Sequence, residues 1–341
     1  SCSQAKKYAI TGSMGKTTSK NALTHVLSQI GSTHATTGNL NNHFGVPVTL
    51  LNIQPKHEYV VIEMGANQPG DIAQLVEYAK PDVVVITNAA PCHLEKLHSI
   101  EGVIQEKGSI CRYAPKQAVA FLPKQDQGFE QWVQDVGHRT LHVFNQSTTV
   151  WVKEGIQTLW QDSNVVLKTH VSAPHLLGIL DLCVQVASYE GMSLAMLQQA
   201  FETFPNSMLR HRVIHHPNGC IIDDSYNASP EAVMSMSQWL STMPGSGLVV
   251  LGHMAELGAD EQRLHTQVAA KIHSLGLDCY YLGDAGEAIK RGHPNAFVTS
   301  DINQLKEHIE DSWGHRAILI KGSRSSRMER VVHWLEESYV T

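Results

Sequence analysis

Short, almost unbroken apolar runs constrain this chain most. Asp82-Val83-Val84-Val85-Ile86-Thr87 and Gly247-Leu248-Val249-Val250-Leu251 have no polar residue inside them. A strand with one wet face alternates polar and apolar residues. A strand that is apolar throughout must be covered on both faces, as in a parallel sheet flanked by helices. Tyr8-Ala9-Ile10 and Glu58-Tyr59-Val60-Val61-Ile62-Glu63 are further strand candidates. Between these runs, residues 16–30 and 71–78 carry helical spacing. That is the β-α-β-α rhythm of an open α/β domain.

The rhythm breaks and then restarts. Residues 117–172 hold short β-like pieces, among them Ala118–Leu122 and Thr149–Val152. Helical patterns cover 176–189 and 193–204, and Phe204-Pro205-Asn206 reads as a hinge. Beyond it, Cys220–Asp224, Cys279–Leu282 and Ala317–Ile320 read as strands, and a helix from Ser326 to Glu337 closes the chain. The expectation is two domains, 1–206 and 207–341, which suits 341 residues at roughly 100–200 per domain.

Composition narrows the function. Hydrophobic residues reach 42% and charged residues 17%, which argues against long disordered stretches. The net charge of -6 disfavours nucleic-acid binding, which needs a basic face. Six scattered cysteines form no C-x-x-C pair, and this fits a reducing cytoplasm rather than a disulfide or zinc scaffold. No apolar run reaches the roughly 20 residues that cross a bilayer, so membrane insertion is not expected. The twenty histidines include His211, His215 and His216 around a strand candidate. Solvated or hydrogen-bonded histidines account for these better than a zinc site, because i and i+4 on a strand lie roughly 13 Å apart. Trp151 and Trp160 read as packing residues rather than a stacking platform.

The chemistry sits where the first strand turns into the first helix, at Thr11-Gly12-Ser13-Met14-Gly15-Lys16-Thr17-Thr18. Glycines there let backbone N–H groups wrap a phosphate chain, and the helix start adds positive potential. Lys16 is placed to reach β and γ phosphates, and Thr17 to offer a hydroxyl to Mg²⁺. The general motif G-x-x-x-x-G-K-[ST] is shortened, since Ile10 stands where its first Gly would be. Neither a G-x-G-x-x-G dinucleotide fingerprint at the first strand nor a G-x-S-x-G nucleophile elbow occurs.

Further stretches follow in a fixed order: Thr37-Gly38-Asn39-Leu40-Asn41-Asn42-His43-Phe44-Gly45-Val46-Pro47, Ile62–Asn67, Asn88, His93-Leu94-Glu95 and Glu106-Lys107-Gly108. Asp223–Ala228, Met254–Gly258 and Lys321-Gly322-Ser323-Arg324 complete the series. With the shortened phosphate loop, this ordered set resembles the Mur ligase family, and within it the D-alanyl-D-alanine-adding branch. The resemblance runs from about residue 8 to the C-terminus. It implies a phosphate-loop central domain with a mostly parallel sheet, followed by a Rossmann-like α/β C-terminal domain. It also implies an ATP-dependent, cytoplasmic, monomeric enzyme of cell-wall precursor synthesis. Such an enzyme joins D-alanyl-D-alanine to UDP-N-acetylmuramoyl-tripeptide through an acyl phosphate.

Residue by residue, the resemblance implies that Gly12, Ser13, Gly15, Lys16, Thr17 and Thr18 hold ATP, together with Arg210, Asp223 and Asn227. Arg212 rivals Arg210, because Leu209 stands where the family has Gly. Thr17, Glu63, His93 and Lys107 would serve two Mg²⁺ ions, Lys107 after carbamylation. Lys16, His93 and Lys107 are the expected catalytic groups. Asn39, Asn41 and Asn42 would bind the peptide acceptor, and Lys321, Ser323 and Arg324 the incoming dipeptide. An ordinary surface Glu, a solvated lysine, a polar turn and a strand-end ion pair are the bland alternatives for Glu63, Lys107, the asparagines and the Lys321 segment.

Three departures from the family pattern bear on this. About a hundred residues that hold the UDP-sugar usually precede the phosphate loop, and that domain is expected to be lacking here. The G-x-H-N-x-x-N stretch reads Ala173-Pro174-His175-Leu176-Leu177-Gly178-Ile179, keeping only His175. The acid of G-D-M-A-E-L-G is His253. A related ligase with another carboxylate acceptor, or a nucleotide-binding protein without catalysis, therefore stays open at this point.

Overall fold

The computed structural model describes residues 4–92, 94–145, 150–154, 157–162, 165–169, 174–204, 212–216, 219–243, 245–312 and 316–339. The chain divides into two compact units, Ser1–Met208 and Leu209–Thr341.

The first unit opens with β1 (Lys6–Thr11), α1 (Lys16–Leu27), β2 (Thr33–Ala35), α2 (Gly45–Leu51), β3 (Tyr59–Glu63) and α3 (Asp71–Ala79). It continues with β4 (Val83–Ile86), α4 (Leu94–Leu97), α5 (Ile100–Arg112), β5 (Val119–Pro123), α6 (Phe129–Val136) and β6 (Leu141–Phe144). The six strands form one sheet in the order β2-β3-β1-β4-β5-β6, parallel throughout. The unbroken apolar run of β4 is explained by its surroundings, since all four of its residues are buried. Val84 and Ile86 join Ala9, Val60 and Ile62 in a core closed by Leu75 of α3, Ile110 of α5 and Trp132 of α6. Val83 and Val85 alternate to the other side of the strand.

A separate antiparallel sheet of β7 (Val150–Glu154), β8 (Gln157–Asp162) and β9 (Val165–Thr169) follows. Trp151 stands opposite Trp160 in its register. Two helices, α7 (Pro174–Tyr189) and α8 (Leu194–Glu202), complete the unit, and α7 packs on α1.

The second unit contains β10 (Arg212–His216), β11 (Gly219–Asp224), α9 (Pro230–Leu240), β12 (Gly247–Gly252), α10 (Glu261–Ser274) and β13 (Asp278–Leu282). After these come α11 (Gly286–Gly292), β14 (Phe297–Thr299), α12 (Ile302–Ser312), β15 (Arg316–Lys321) and α13 (Glu329–Tyr339). Its sheet order is β10-β11-β15-β12-β13-β14, with β10 antiparallel and the rest parallel. The last strand in sequence thus lies between β11 and β12.

Two helix boundaries differ from the sequence expectation. The first helix stops at Leu27, where the Ser28 hydroxyl donates to the Thr24 carbonyl at 2.6 Å. The last begins at Glu329 rather than Ser326, because Arg324–Ser326 form a tight 3-10 turn and Arg327 adopts a positive φ of 50°.

Topology positions the site. β1 lies between β3 and β4, and the chain leaves it toward β2 and β3 on one side and returns to β4 on the other. Ligands of open α/β sheets bind at the carboxyl ends of strands at such a reversal. The carboxyl ends of β1, β3 and β4 carry the phosphate-loop motif, Glu63 and Asn88.

Candidate active site

The loop from Thr11 to Lys16 is built on two glycines. Gly12 has φ 150° and Gly15 has φ 74°, conformations that side chains resist. A Cβ on Gly12 would also lie 1.9 Å from Thr87 Oγ1, so the loop presses on the end of β4. Lys16 starts α1 and turns back over the loop, its Nζ donating to the Gly12 carbonyl at 2.7 Å and the Ser13 carbonyl at 3.1 Å. Thr17 and Thr18 are buried in the first turn.

Glu63, at the end of β3, is only 1% exposed, which sets aside the surface-Glu alternative. Its Oε2 accepts from Thr17 Oγ1 at 2.8 Å, and its Oε1 accepts from Asn41 Nδ2 at 2.8 Å. The hydroxyl of Thr36 accepts from the Glu63 backbone N–H at 3.0 Å. A buried carboxylate is costly unless hydrogen-bonded, and here both oxygens are partnered. The three asparagines separate into different situations. Asn41 holds Glu63. Asn42 caps the start of α2, its Oδ1 accepting from the N–H groups of Phe44 at 3.1 Å and Gly45 at 2.9 Å. Asn39 is exposed. Beneath them Lys20 is buried, and its Nζ donates to the Thr36 carbonyl at 2.8 Å, tying α1 to the start of the asparagine loop.

Lys107 lies in the middle of α5 and is 1% exposed. Its Nζ makes no hydrogen bond or ion pair to a described residue. Burial lowers its pKa below the ordinary lysine value, and this outweighs the opposing pull of Cys92, Glu106 and Asp71. A neutral amine is the form that can react with CO₂. The neighbouring residues fix the helix that carries it. The Glu106 carboxylate accepts from the N–H groups of Gly70 and Ile72, at 2.8 Å each, and so joins α5 to the start of α3. Gly108 lets α6 approach, since a Cβ there would lie 2.3 Å from Asp135 Oδ2. His93, Arg210 and the His175 side chain lie outside the described residues, as does the Arg212 side chain.

In the second unit, candidates gather at the carboxyl ends of β11 and β15. Lys321 is buried, its Nζ donating to Asp224 Oδ2 at 2.5 Å and to the Asn227 carbonyl at 3.1 Å. Asp223 Oδ1 accepts from the Ser225 amide at 3.1 Å and the Ser225 hydroxyl at 2.7 Å, making a tight turn. Asn227 Oδ1 accepts from the Ala228 N–H at 2.9 Å. Ser323 is buried with its hydroxyl donating to the His253 carbonyl at 2.5 Å. Arg324 is exposed, pairs with Glu329 at 3.2 Å and lies 5.9 Å from the Tyr226 ring. His253 stacks on His265 with ring centres 5.0 Å apart, and its Nδ1 lies 3.1 Å from the Tyr281 hydroxyl.

The comparisons with known proteins agree with this arrangement. The Mur ligase middle domain matches residues 10–178, and the Mur ligase glutamate ligase domain matches residues 209–324. The UDP-N-acetylmuramoyl-tripeptide–D-alanyl-D-alanine ligase of Escherichia coli strain K12 is 33% identical across 98% of this chain and 77% of that protein. The chain belongs to the Mur ligase family. Among solved Mur ligases, MurF from Acinetobacter baumannii superposes with a TM-score of 0.89 at 28% identity, covering 98% of this chain and 77% of the other. MurF from Thermotoga maritima, solved in complex with ADP, gives a TM-score of 0.85 at 26% identity, covering 98% and 80%. No described helix is long and apolar enough to cross a membrane.

Sequence reasoning missed Thr36, Lys20 and Thr87. Thr36 meets Glu63 and Thr87 meets the phosphate loop through the sheet, while Lys20 reaches the Thr36 carbonyl from the first helix. Each is a common polar residue with no motif of its own, so no local signal marks it.

Proposed function

We propose that this Mur ligase joins D-alanyl-D-alanine to UDP-N-acetylmuramoyl-tripeptide, with ATP converted to ADP and phosphate. The observation that carries the reading is the meeting of Thr17 Oγ1 and Glu63 Oε2 at 2.8 Å behind a glycine-built loop, in a chain whose relatives bear that name. The donor set fits the groups it would receive. A loop that excludes a Cβ at Gly12 suits a phosphate chain lying close to backbone. A hydroxyl beside a carboxylate suits Mg²⁺, which prefers hard oxygen ligands.

Amide formation from a carboxylate and an amine in water needs the carboxylate activated. The γ-phosphoryl group of ATP passes to an acceptor carboxylate oxygen, giving an acyl phosphate and ADP. The dipeptide amine then attacks the acyl carbon, the bond to the phosphate oxygen breaks, and inorganic phosphate leaves. Mg²⁺ supplies neutralisation of phosphate charge when bound. The protein's own work is positioning and charge compensation. Lys16 would bring a cation to the phosphates. Thr17 and Glu63 would hold one metal ion, with Asn41 fixing the Glu63 carboxylate. Lys107 would take up CO₂ at its neutral Nζ, form an N–C bond, release a proton and become an anion. With His93 it would then serve a second ion.

Asn39, exposed beside this site, is left as the asparagine for the peptide acceptor. Arg210, Asp223 and Asn227 would serve the nucleotide. Exposed Arg324 suits the dipeptide carboxylate, because its planar fork can bind it in two places. Lys321 and Ser323 would shape that segment from beneath. The enzyme is proposed to act as a cytoplasmic monomer, where ATP and soluble precursors are at hand.

The test is phosphate release from ATP and Mg²⁺, with the two acceptors added singly and together, beside Lys16→Ala. Release that needs both acceptors and is lost in the variant supports the reading. Release indifferent to the amine, or no release with both present, contradicts it.

A further inference from the structure

The shortened phosphate loop is gripped from outside by the residues that follow β4. Met14 is held at both of its backbone groups. Its amide donates to Asn88 Oδ1 at 2.9 Å, and its carbonyl accepts from Thr87 Oγ1 at 2.6 Å and from Asn88 Nδ2 at 3.3 Å. One residue earlier, the Ser13 amide donates to the Asn88 carbonyl at 3.1 Å. The Ser13 hydroxyl donates to the Ala90 carbonyl at 3.0 Å and accepts from its amide at 2.9 Å. Thr87 Oγ1 also occupies the place a Gly12 side chain would need.

This grip decides which amides can meet a phosphate. The Ser13 and Met14 amides point to Asn88 and are engaged there. The Gly15 and Thr18 amides have no hydrogen-bond partner among the described residues. They stand at the start of α1, where orphan N–H groups and the helix dipole favour an anion. We propose that Thr87 and Asn88 are positioning residues for the nucleotide phosphates. They hold Met14 so that the loop presents the Gly15 and Thr18 amides. The inference rests on the reading of this loop as an ATP site.

The experiment measures binding of Mg²⁺ and a non-hydrolysable ATP analogue to the full chain by calorimetry, with the ligand-free melting temperature recorded beside it. Thr87→Val keeps the shape and removes the hydroxyl, while Thr87→Ser returns a hydroxyl. Thr87→Val should weaken binding about 10-fold, the scale of one hydrogen bond. Thr87→Ser should restore it to within about threefold, on the same scale, and Asn88→Ala should weaken it at least as much as Thr87→Val. Affinity unchanged in Thr87→Val, or lost equally in Val and Ser variants in step with melting temperature, overturns the proposal. Should Thr87→Val fail to fold, Ser13→Ala removes the Ala90 pair of the same grip and carries the same expectation of weakened binding. No binding by the unaltered chain removes the nucleotide reading and the grip with it. Binding by the unaltered chain with Thr87→Val unaffected removes the grip alone.

Discussion

Asn41→Ala separates two roles for an asparagine that the sequence assigns to the peptide acceptor. In the structure its Nδ2 donates to Glu63 Oε1 at 2.8 Å, while Thr17 takes the other oxygen. Removing the amide leaves one oxygen of a carboxylate that is 1% exposed without its partner. A hydrogen bond to a charged group is worth about 1.5–3 kcal/mol. At about 1.4 kcal/mol per factor of ten, that corresponds to a change of roughly 10- to 150-fold. If Glu63 holds Mg²⁺, the loss falls on the metal. The Mg²⁺ concentration giving half-maximal phosphate release should rise by that order at saturating acceptor. The KM for the peptide acceptor, measured at saturating Mg²⁺, should stay within about threefold, below the scale of one hydrogen bond. An unchanged Mg²⁺ requirement with a raised acceptor KM would return Asn41 to the acceptor.

Gly12→Ala should abolish nucleotide binding, since its Cβ would lie 1.9 Å from Thr87 Oγ1 on a backbone with φ 150°. Overpacking and backbone strain together cost about 2–6 kcal/mol, so calorimetry should show no binding and a lowered melting temperature. Lys321→Met should destabilise the second unit by about 1.5–3 kcal/mol, the scale of a hydrogen bond to a charged group, because half-buried Asp224 loses its ammonium partner. Denaturant unfolding monitored in that unit checks it. His265 gives a pH dependence. Its Nε2 accepts from the Met254 amide at 3.2 Å and its Nδ1 donates to the Glu261 carbonyl at 2.9 Å, so the buried ring is neutral. Burial lowers its folded pKa below the ordinary 6.5. Its contribution is therefore complete above about 6.5 and falls as pH drops through that value toward the folded pKa, because the unfolded chain binds the proton more readily. Melting temperatures from pH 7.5 to 5.5 should fall more steeply for the unaltered chain than for His265→Gln, and parallel slopes would contradict this.

The strands were legible because parallel strands buried on both faces leave unbroken apolar runs. Val83–Ile86 and Gly247–Leu251 needed no context beyond their own residues. β2 was not, because Thr33–Ala35 is three residues long with a histidine at its centre. α2 was hidden by its Gly45-Val46-Pro47 start, which reads as a turn. At the candidate site, Gly12, Lys16, Thr17 and Glu63 carried signals of residue type and position, and the structure brings Thr17 and Glu63 into contact. What the sequence could not convey was partnership across the sheet. Asn41 and Asn42 are adjacent in an amide-rich loop, yet one reaches Glu63 and the other caps a helix. For Lys321 the sequence did offer a strand-end ion pair as the alternative, and that is what forms, with Asp224 and the Asn227 carbonyl as partners.

Phosphoryl transfer should activate the acceptor carboxylate before the amide forms. Its most direct test labels the acceptor carboxylate with ¹⁸O and follows the label by mass spectrometry during turnover with ATP, Mg²⁺ and D-alanyl-D-alanine. One labelled oxygen should appear in inorganic phosphate for each amide bond made, because the carboxylate oxygen that takes the phosphoryl group leaves with it. Amide product accompanied by unlabelled phosphate would contradict it.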